Sequence, residues 1–377
     1  MRRWLFAVVL ALLAPAVLAQ SKPAQAARAA SEAPASTDAA DKTLTVIPQG
    51  RGMPILIRVG LSFIELQDIN ENEGTFTATV DMRLRWQDLR LAYPRARTPA
   101  GYQEYKGTDA DKKFTEIWNP EVEFGNLKGD PTYTKRGLRV FPDGNVEYMQ
   151  RTTAAFSADY SLENFPFDRQ RLSVEMLSRI EPLQRVLLDF RQDELEFSNT
   201  QNGGAMEGWS LGLVELSKDT VAAWRGEENS RVKAALVVKR QQKSLLATIF
   251  VPLFASLLIP LLVIWLNRYE DGQFTIEAFE LTNISIGGLF AVVALNFTVN
   301  SSFVKLASGD NPVMRLFGLN YFLLAVSIAV GILLYQFNVV RRLFGTHVQA
   351  ELFAFITWAI PVLVFGTAVA MVAMAVF

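Results

Sequence analysis

The chain has 377 residues, 37 Lys and Arg against 38 Asp and Glu, and half its residues are hydrophobic. Its length allows two domains, and its net charge of -1 speaks against nucleic acid as a partner. It contains no cysteine and a single histidine, His347, which excludes disulfide frameworks, thiolate zinc centres, cysteine nucleophiles and nearly all histidine-based catalysis. The expectation is a protein that is not an enzyme and requires no cofactor.

The N-terminus, MRRWLFAVVLALLAPAVLAQ, has Arg2 and Arg3, a short apolar run, and Val17 and Ala19 at the small-residue spacing of a signal-peptidase site. Residues 1–19 therefore read as a signal peptide; the apolar run is shorter than the ~20 residues a spanning helix needs. Residues 20–42, rich in Ala, Ser and Pro, read as a disordered leader.

Residues 43–242 alternate polar and apolar residues in short runs, such as TFTATVDMRLRW and SRVKAALVVKR, broken by Gly, Pro, Asp and Asn. This grammar predicts about ten strands in an all-β, immunoglobulin-like sandwich, with Asp143-Gly144-Asn145 as a hairpin turn. From 243 to 377 it changes to four apolar segments of spanning length, about 244–266, 278–302, 313–337 and 352–377, joined by short connections. A cleaved signal puts the sandwich outside, so the first and third connections are cytoplasmic, in keeping with Arg268, Arg341 and Arg342. His347, in the third connection, reads as a surface residue.

The second span, EAFELTNISIGGLFAVVALNFTVNSS, is polar for a membrane helix. At 100° per residue Glu280, Asn283, Gly287, Phe290, Ala294, Phe297 and Ser301 share one face. Thr282, Ser285, Asn296 and Asn300 collect roughly opposite, where hydrogen bonds to neighbouring helices are expected. One subunit cannot shield both faces, so the economical arrangement is a ring of identical subunits around a water-filled pore. Glu280 would then form a ring of carboxylates selecting cations, with Phe290 and Phe297 gating by dewetting. A helix buried in a bundle, with Glu280 paired to Arg268 or Lys305, stays open as the alternative.

The order of these parts resembles the pentameric ligand-gated ion channels, the Cys-loop receptor superfamily, in a cysteine-less prokaryotic form. The resemblance covers residues 43–377. ENFPFDRQRL matches the FPFDxQ signature through Phe165, Pro166, Phe167, Asp168 and Gln170, with Ala158 and Leu172 where animal receptors carry cysteines. RWQDLRL matches WxDxxL through Trp86, Asp88 and Leu91, and IWNPEVEF matches WxPD through Trp118 and Pro120, with Glu121 replacing aspartate. Arg240 matches the basic residue that joins the last strand to the membrane, and Pro312 the proline of the loop that touches the sandwich.

The resemblance implies a homopentameric ligand- or proton-gated channel in a bacterial inner membrane, multi-pass, with its N-terminal domain in the periplasm. The implied partners are identical subunits, membrane lipid, permeant ions, and an unknown small ligand or protons. It places the coupling interface at Glu71, Glu73, Phe165, Pro166, Phe167, Asp168, Arg240 and Pro312, and pore, gate and filter on the stripe already named. Phe290 stands where the family usually has leucine; the VVAxxF core resembles a bacterial relative, and Glu280 resembles the glutamate of cation-selective members. Ligand-binding candidates are Trp86, Arg179 and Trp224; core packing is the competing reading for Trp86 and the preferred one for Trp118.

Two walls of the family's aromatic box are missing, because Arg179 and Gly125 fall where tryptophan and tyrosine are expected. A quaternary ammonium ligand is therefore not expected. Protons acting on carboxylates such as Glu71, Glu73 and Glu123 are one candidate stimulus, and calcium bound by sandwich carboxylates another. A membrane transporter, hinted at only by Gly287 and Gly288 as a helix break, and a non-conducting receptor are the rival functions.

Overall fold

The computed structural model describes residues 44–48, 52–200, 206–223, 226–241, 245–270, 273–303, 306 and 309–376. The expected signal peptide, the leader 20–42, Trp224 and Lys305 lie outside the described residues.

Alternating sequence becomes alternating burial. In strand β2 (Thr75–Gln87) Ala78, Val80, Met82, Leu84 and Trp86 point into the core, while Arg83, Arg85 and Gln87 stay on the opposite face. β1 (Ile55–Asn70) does the same with Ile57, Val59, Leu61 and Phe63. These two strands pair with β3 (Gln103–Lys106), β5 (Leu127–Val140), β6 (Asn145–Ser157) and β8 (Val186–Asp189) in a six-stranded sheet ordered β3-β5-β6-β2-β1-β8. β4 (Val122–Phe124), β7 (Arg169–Ser178), β9 (Trp209–Ala222) and β10 (Glu228–Arg240) form a four-stranded sheet ordered β4-β7-β10-β9. All neighbours are antiparallel except β1 and β8, and the buried faces of the two sheets make one core. The β5–β6 hairpin turns at the expected place, with the Gly144 N–H donating to the Phe141 carbonyl at 3.0 Å. Two short helices, α1 (Thr108–Glu116) and α2 (Gln192–Phe197), decorate the sandwich.

Among the described residues of the second half, four helices are long and apolar enough to cross a membrane. They are α3 (Leu246–Trp265), α4 (Ala278–Ser302), α5 (Pro312–Gln336) and α7 (Thr346–Val376). α5 ends in a wide π-type turn over Gly331–Gln336, and a short helix α6 (Val339–Phe344) joins it to α7. α7 begins at Thr346 rather than near 352, because THVQAE is polar but still helix-forming and continues the apolar part without a break.

The expected loop between the first two spans contains a hairpin, β11 (Tyr269–Glu270) with β12 (Gln273–Phe274). Its rings Tyr269 and Phe274 pack with Tyr335 of α5 and Phe353 of α7 at centroid distances of 4.5–6.1 Å. The membrane bundle has its own core, including Leu257 of α3, Val292 of α4, Phe317 of α5 and Ala368 of α7. Leu162 and Phe165, from the loop between β6 and β7, belong to that same core.

Candidate functional site

The interdomain contact is built on a loop and the end of a strand. Phe165 is fully buried, and its ring meets Phe303, just past the end of α4, at 5.2 Å; Phe167 faces Phe250 of α3 at 6.5 Å. Burying a side chain of this size contributes roughly 1.5–3 kcal/mol. The bond between Phe165 and Pro166 is cis. Immediately behind it Asp168, the residue before β7, takes two bonds from Arg240, the last residue of β10: Nε to Oδ1 at 2.7 Å and Nη2 to Oδ2 at 2.9 Å.

Arg240 also donates to Glu71 Oε1 at 2.5 Å, so one guanidinium ties the β1–β2 turn to the loop before β7. Asp168 is only 3% exposed and Arg240 6%. Such desolvation is tolerated because every face of the guanidinium is occupied: Trp209 lies 4.3 Å away and Phe165 4.9 Å away, centroid to Cζ. Burial pulls the Arg240 guanidinium down, but Asp168 and Glu71 outweigh it and hold it above its usual value. Gln170 completes the arrangement, donating to Asp168 Oδ2 at 2.6 Å and to the Ser161 carbonyl at 2.7 Å.

Of the two glutamates considered for this cluster, Arg240 takes Glu71; Glu73 is exposed, and its backbone N–H donates to Asn70 Oδ1 at 3.0 Å. Pro312 is buried as the first residue of α5, where its missing N–H costs nothing, and Asn311 caps that helix by accepting from the Met314 N–H at 3.0 Å. Trp209 is the member that sequence reasoning missed. It stands opposite Arg240 in the β9–β10 register, a pairing readable only once the hairpin is registered.

On α4 the seven residues Glu280, Asn283, Gly287, Phe290, Ala294, Phe297 and Ser301 are all exposed in the subunit, Phe290 by 71% and Phe297 by 74%. The opposite face, Leu281, Ser285, Gly288, Val292 and Val299, is buried against the bundle. A Cβ on Gly288 would lie 2.7 Å from Ile259 Cγ2 and 3.3 Å from Leu324 Cδ2, whereas one on Gly287 would meet nothing within 4 Å. The helix runs unbroken through both glycines. No salt bridge joins Glu280 to Arg268 among the described residues, and Lys305 lies outside them.

The polar residues behind this stripe behave differently from expectation. Ser285 Oγ donates to the Leu281 carbonyl at 3.1 Å, and Asn300 Nδ2 to Asn296 Oδ1 at 2.5 Å, both within α4 rather than across to a neighbouring helix. A helical serine reaches the carbonyl four residues back, and asparagines one turn apart reach each other; Asn300 Oδ1 stays buried with no hydrogen-bond partner within the subunit. Polar bridges that do cross helices join other spans: Asn320 of α5 donates to Ser256 of α3, and Trp265 Nε1 of α3 to the Thr357 carbonyl of α7 at 2.9 Å.

The ligand-binding candidates are scattered. Trp86 is 3% exposed and edge-on to Trp118 at 6.3 Å, so both tryptophans sit in the sandwich core. Arg179 is half-exposed and ion-paired with Glu123. A Cβ on Gly125 would lie 2.3 Å from Leu177 Cδ2, so the Leu177 side chain occupies the space next to this glycine. A cavity of about 850 Å³ opens on the six-stranded sheet, lined by Arg58, Arg85, Glu147 and residues 191–194, and of the ligand-binding candidates Trp86 borders it. Arg85 pairs there with buried Glu194, a link between β2 and α2 that no spacing announced. No group of three or more acidic or histidine side chains able to hold a metal occurs among the described residues of one subunit.

Residues 43–242 match the model of the neurotransmitter-gated ion-channel ligand-binding domain. The chain is 23% identical over 253 residues to a proton-gated ion channel of Gloeobacter violaceus, covering 67% of this chain and 65% of that protein. It is 25% identical over 244 residues to the gamma-aminobutyric acid receptor subunit theta of Mus musculus, covering 63% and 36%. To the rho-2 subunit of Bos taurus it is 34% identical over 143 residues, covering 37% and 29%. The matched stretches thus span less than two thirds of each relative. With the sandwich matched from end to end and four spans behind it, the chain belongs to the family of neurotransmitter-gated ion channels, the pentameric ligand-gated superfamily that its motifs resemble.

Proposed function

We propose that this protein is a homopentameric, cation-selective ion channel of a bacterial inner membrane, opened when a small ligand or protons act on a periplasmic sandwich. The observation that carries this reading is the exposure of the whole stripe from Glu280 to Ser301 on a helix whose other face is packed. In lipid that stripe would strand Glu280, Asn283 and Ser301; in a ring of copies it lines water. Glu280, in the first turn of α4, then sets a ring of carboxylates at one mouth, and Phe290 and Phe297 make two apolar constrictions deeper in. The cluster of Glu71, Asp168 and Arg240, with Phe165, Pro166, Phe167 and Pro312, is the contact through which movement of the sandwich reaches the pore, because paired charges can re-pair. Glu73, Trp86, Arg179 and Trp224 remain candidates for sensing, and calcium at carboxylates of the sandwich is a candidate modulator.

The relative named as proton-gated makes protons the first stimulus to try. A transporter loses its one hint, since α4 has no break at Gly287 and Gly288. The test is a planar bilayer recording from the purified full chain while pH, calcium and small ligands are varied. Unitary currents are expected, and Glu280→Ala should move the reversal potential in a salt gradient toward the anion value. Saturable flux without unitary currents would replace the channel with a transporter, and an unmoved reversal potential would remove Glu280 as the filter.

A further inference from the structure

α7 keeps a proline, Pro361, in the middle of its apolar run, and the helix continues through it. Proline has no N–H, so the Thr357 carbonyl four residues back loses its usual helical donor. Hydrocarbon offers no water in exchange, and such a proline is tolerated in a span where a neighbour serves the freed group. Phe353, Thr357, Pro361, Val364 and Ala368 recur at spacings of four, four, three and four, so they share one face of α7. Phe353, Pro361, Val364 and Ala368 are buried, which turns that face toward the bundle. There Trp265, the last residue of α3, donates its Nε1 to the Thr357 carbonyl at 2.9 Å. The Thr357 hydroxyl is turned back to the Phe353 carbonyl at 2.8 Å, so the backbone oxygen is what α7 offers to α3.

α3 carries a proline of its own, Pro260, and the parts on either side of it are fastened to different helices. Before the proline, Asn320 of α5 donates to Ser256 Oγ and to the Leu253 carbonyl, the latter at 3.4 Å. After it, Trp265 reaches α7. The chain then turns at Asn267, 3% exposed, whose Oδ1 accepts from the N–H groups of Arg268 and Ile276, both at 3.0 Å. It passes through the β11–β12 hairpin and returns as α4, with Glu280 in the first turn. We propose that Trp265 and Pro361 form a matched clasp: the proline frees the acceptor, the indole takes it, and the bond fixes α7 to the end of α3 from which the Glu280 mouth is hung. Trp265 is thus a positioning residue for that mouth, a role that rests on the channel reading, whereas the clasp does not.

The test is a double-mutant cycle on the full-length protein in detergent, read by far-ultraviolet circular dichroism during heating. Trp265→Phe keeps an aromatic ring and removes the N–H, leaving a carbonyl unserved in hydrocarbon, so the midpoint should fall by roughly 2–6 °C. Pro361→Ala restores the helical donor to Thr357, so in that background the same change should cost less than about half as much. Equal costs in the two backgrounds would overturn the clasp. Wild-type protein gives a readout that needs no folded proline variant: by nuclear magnetic resonance the Trp265 indole N–H should exchange at least about tenfold more slowly than that of Trp358, which is 76% exposed and one residue along α7 from Thr357. Equal exchange of the two would also overturn the clasp. In bilayer recordings Trp265→Phe and Pro361→Ala should change unitary conductance alike, and the double variant no more than either, because each undoes the same bond. Conductance unmoved by both would overturn the positioning role, with the clasp still decided by the thermal cycle; no current from wild type would remove that role together with the channel reading.

Discussion

Replacing Asp168 by asparagine removes one charge from a place where water cannot replace it, since Asp168 is 3% exposed and Arg240 6%. Breaking a buried pair by neutralising one partner costs about 3–5 kcal/mol, because the remaining ion is left desolvated. Asparagine still accepts one bond, and Glu71 still faces Arg240 at 2.5 Å, so the loss should sit near the lower end, about 3 kcal/mol. For a domain the size of the sandwich that is roughly 6–12 °C in melting temperature. Glu71→Gln leaves the two-bond contact between Arg240 and Asp168 intact and should cost only about 1 kcal/mol, or roughly 2–4 °C. Combining Asp168→Asn with Arg240→Gln removes both charges and should be milder than the sum of the single changes by about 2 kcal/mol. The assay is thermal unfolding of the full-length protein in detergent, followed by tryptophan fluorescence. Should Asp168→Asn shift the melt no more than Glu71→Gln does, or should the double variant be additive, the cluster does not act as a buried unit.

Phe290→Ala should leave a standing leak current, because a 71% exposed ring is removed from the face assigned to the pore; an unchanged closed state in bilayer recordings would refute that gate. Gly288→Ala should lower the melting temperature through the 2.7 Å contact with Ile259, by about 1–3 kcal/mol of strain, whereas Gly287→Ala should be neutral or stabilising by up to about 1 kcal/mol. If Gly287→Ala proves the more damaging, the two faces of α4 have been exchanged. Hydrogen bonds from Arg231 hold the Asp219 carboxyl below its ordinary 3.8, and Lys218 does the same for Asp189 against the opposing effect of burial. A depressed folded value means that their contribution to stability is complete above 3.8 and is lost only as pH falls through the folded value. Between about pH 4 and 7 both stay ionised, so Asp219→Asn should alter acid stability and leave the midpoint of any proton-activated current in place. A moved midpoint would make Asp219 a sensor.

Much of this was legible because local rules and long-range structure agree. Period-two burial marks the second half of β2, from Met82 to Gln87, and the end of β10, from Leu236 to Arg240, and the spacing of Glu280, Asn283, Gly287 and Phe290 picks out residues that are exposed on α4 before any neighbour is known. The partnership of Asp168 with Arg240 was reachable through two motifs, although 72 residues separate them. What stayed hidden has no periodic signature. Arg85 finds Glu194 across 109 residues on a helix of one and a half turns, and Phe274 finds Phe353 through a hairpin folded under the bundle. The bonds within α4 were hidden for a different reason: the sequence counts hydrogen-bonding groups but not where their partners lie, and within one subunit Ser285 finds a backbone carbonyl and Asn300 a side chain one turn away on its own helix.

Phe165 has a consequence for how such proteins can be recombined. Because it is buried among membrane residues rather than in the sandwich, the seam between the two halves is not where the alternating pattern gives way to the apolar one. A sandwich grafted onto another member's helices carries a hydrophobic plug cut for its original socket, which includes Phe250, Phe303 and Leu306. Chimaeras should therefore assemble only when plug and socket are exchanged together. The same reasoning makes the sandwich expressed alone a sticky molecule, with its most apolar side chain pointing at nothing.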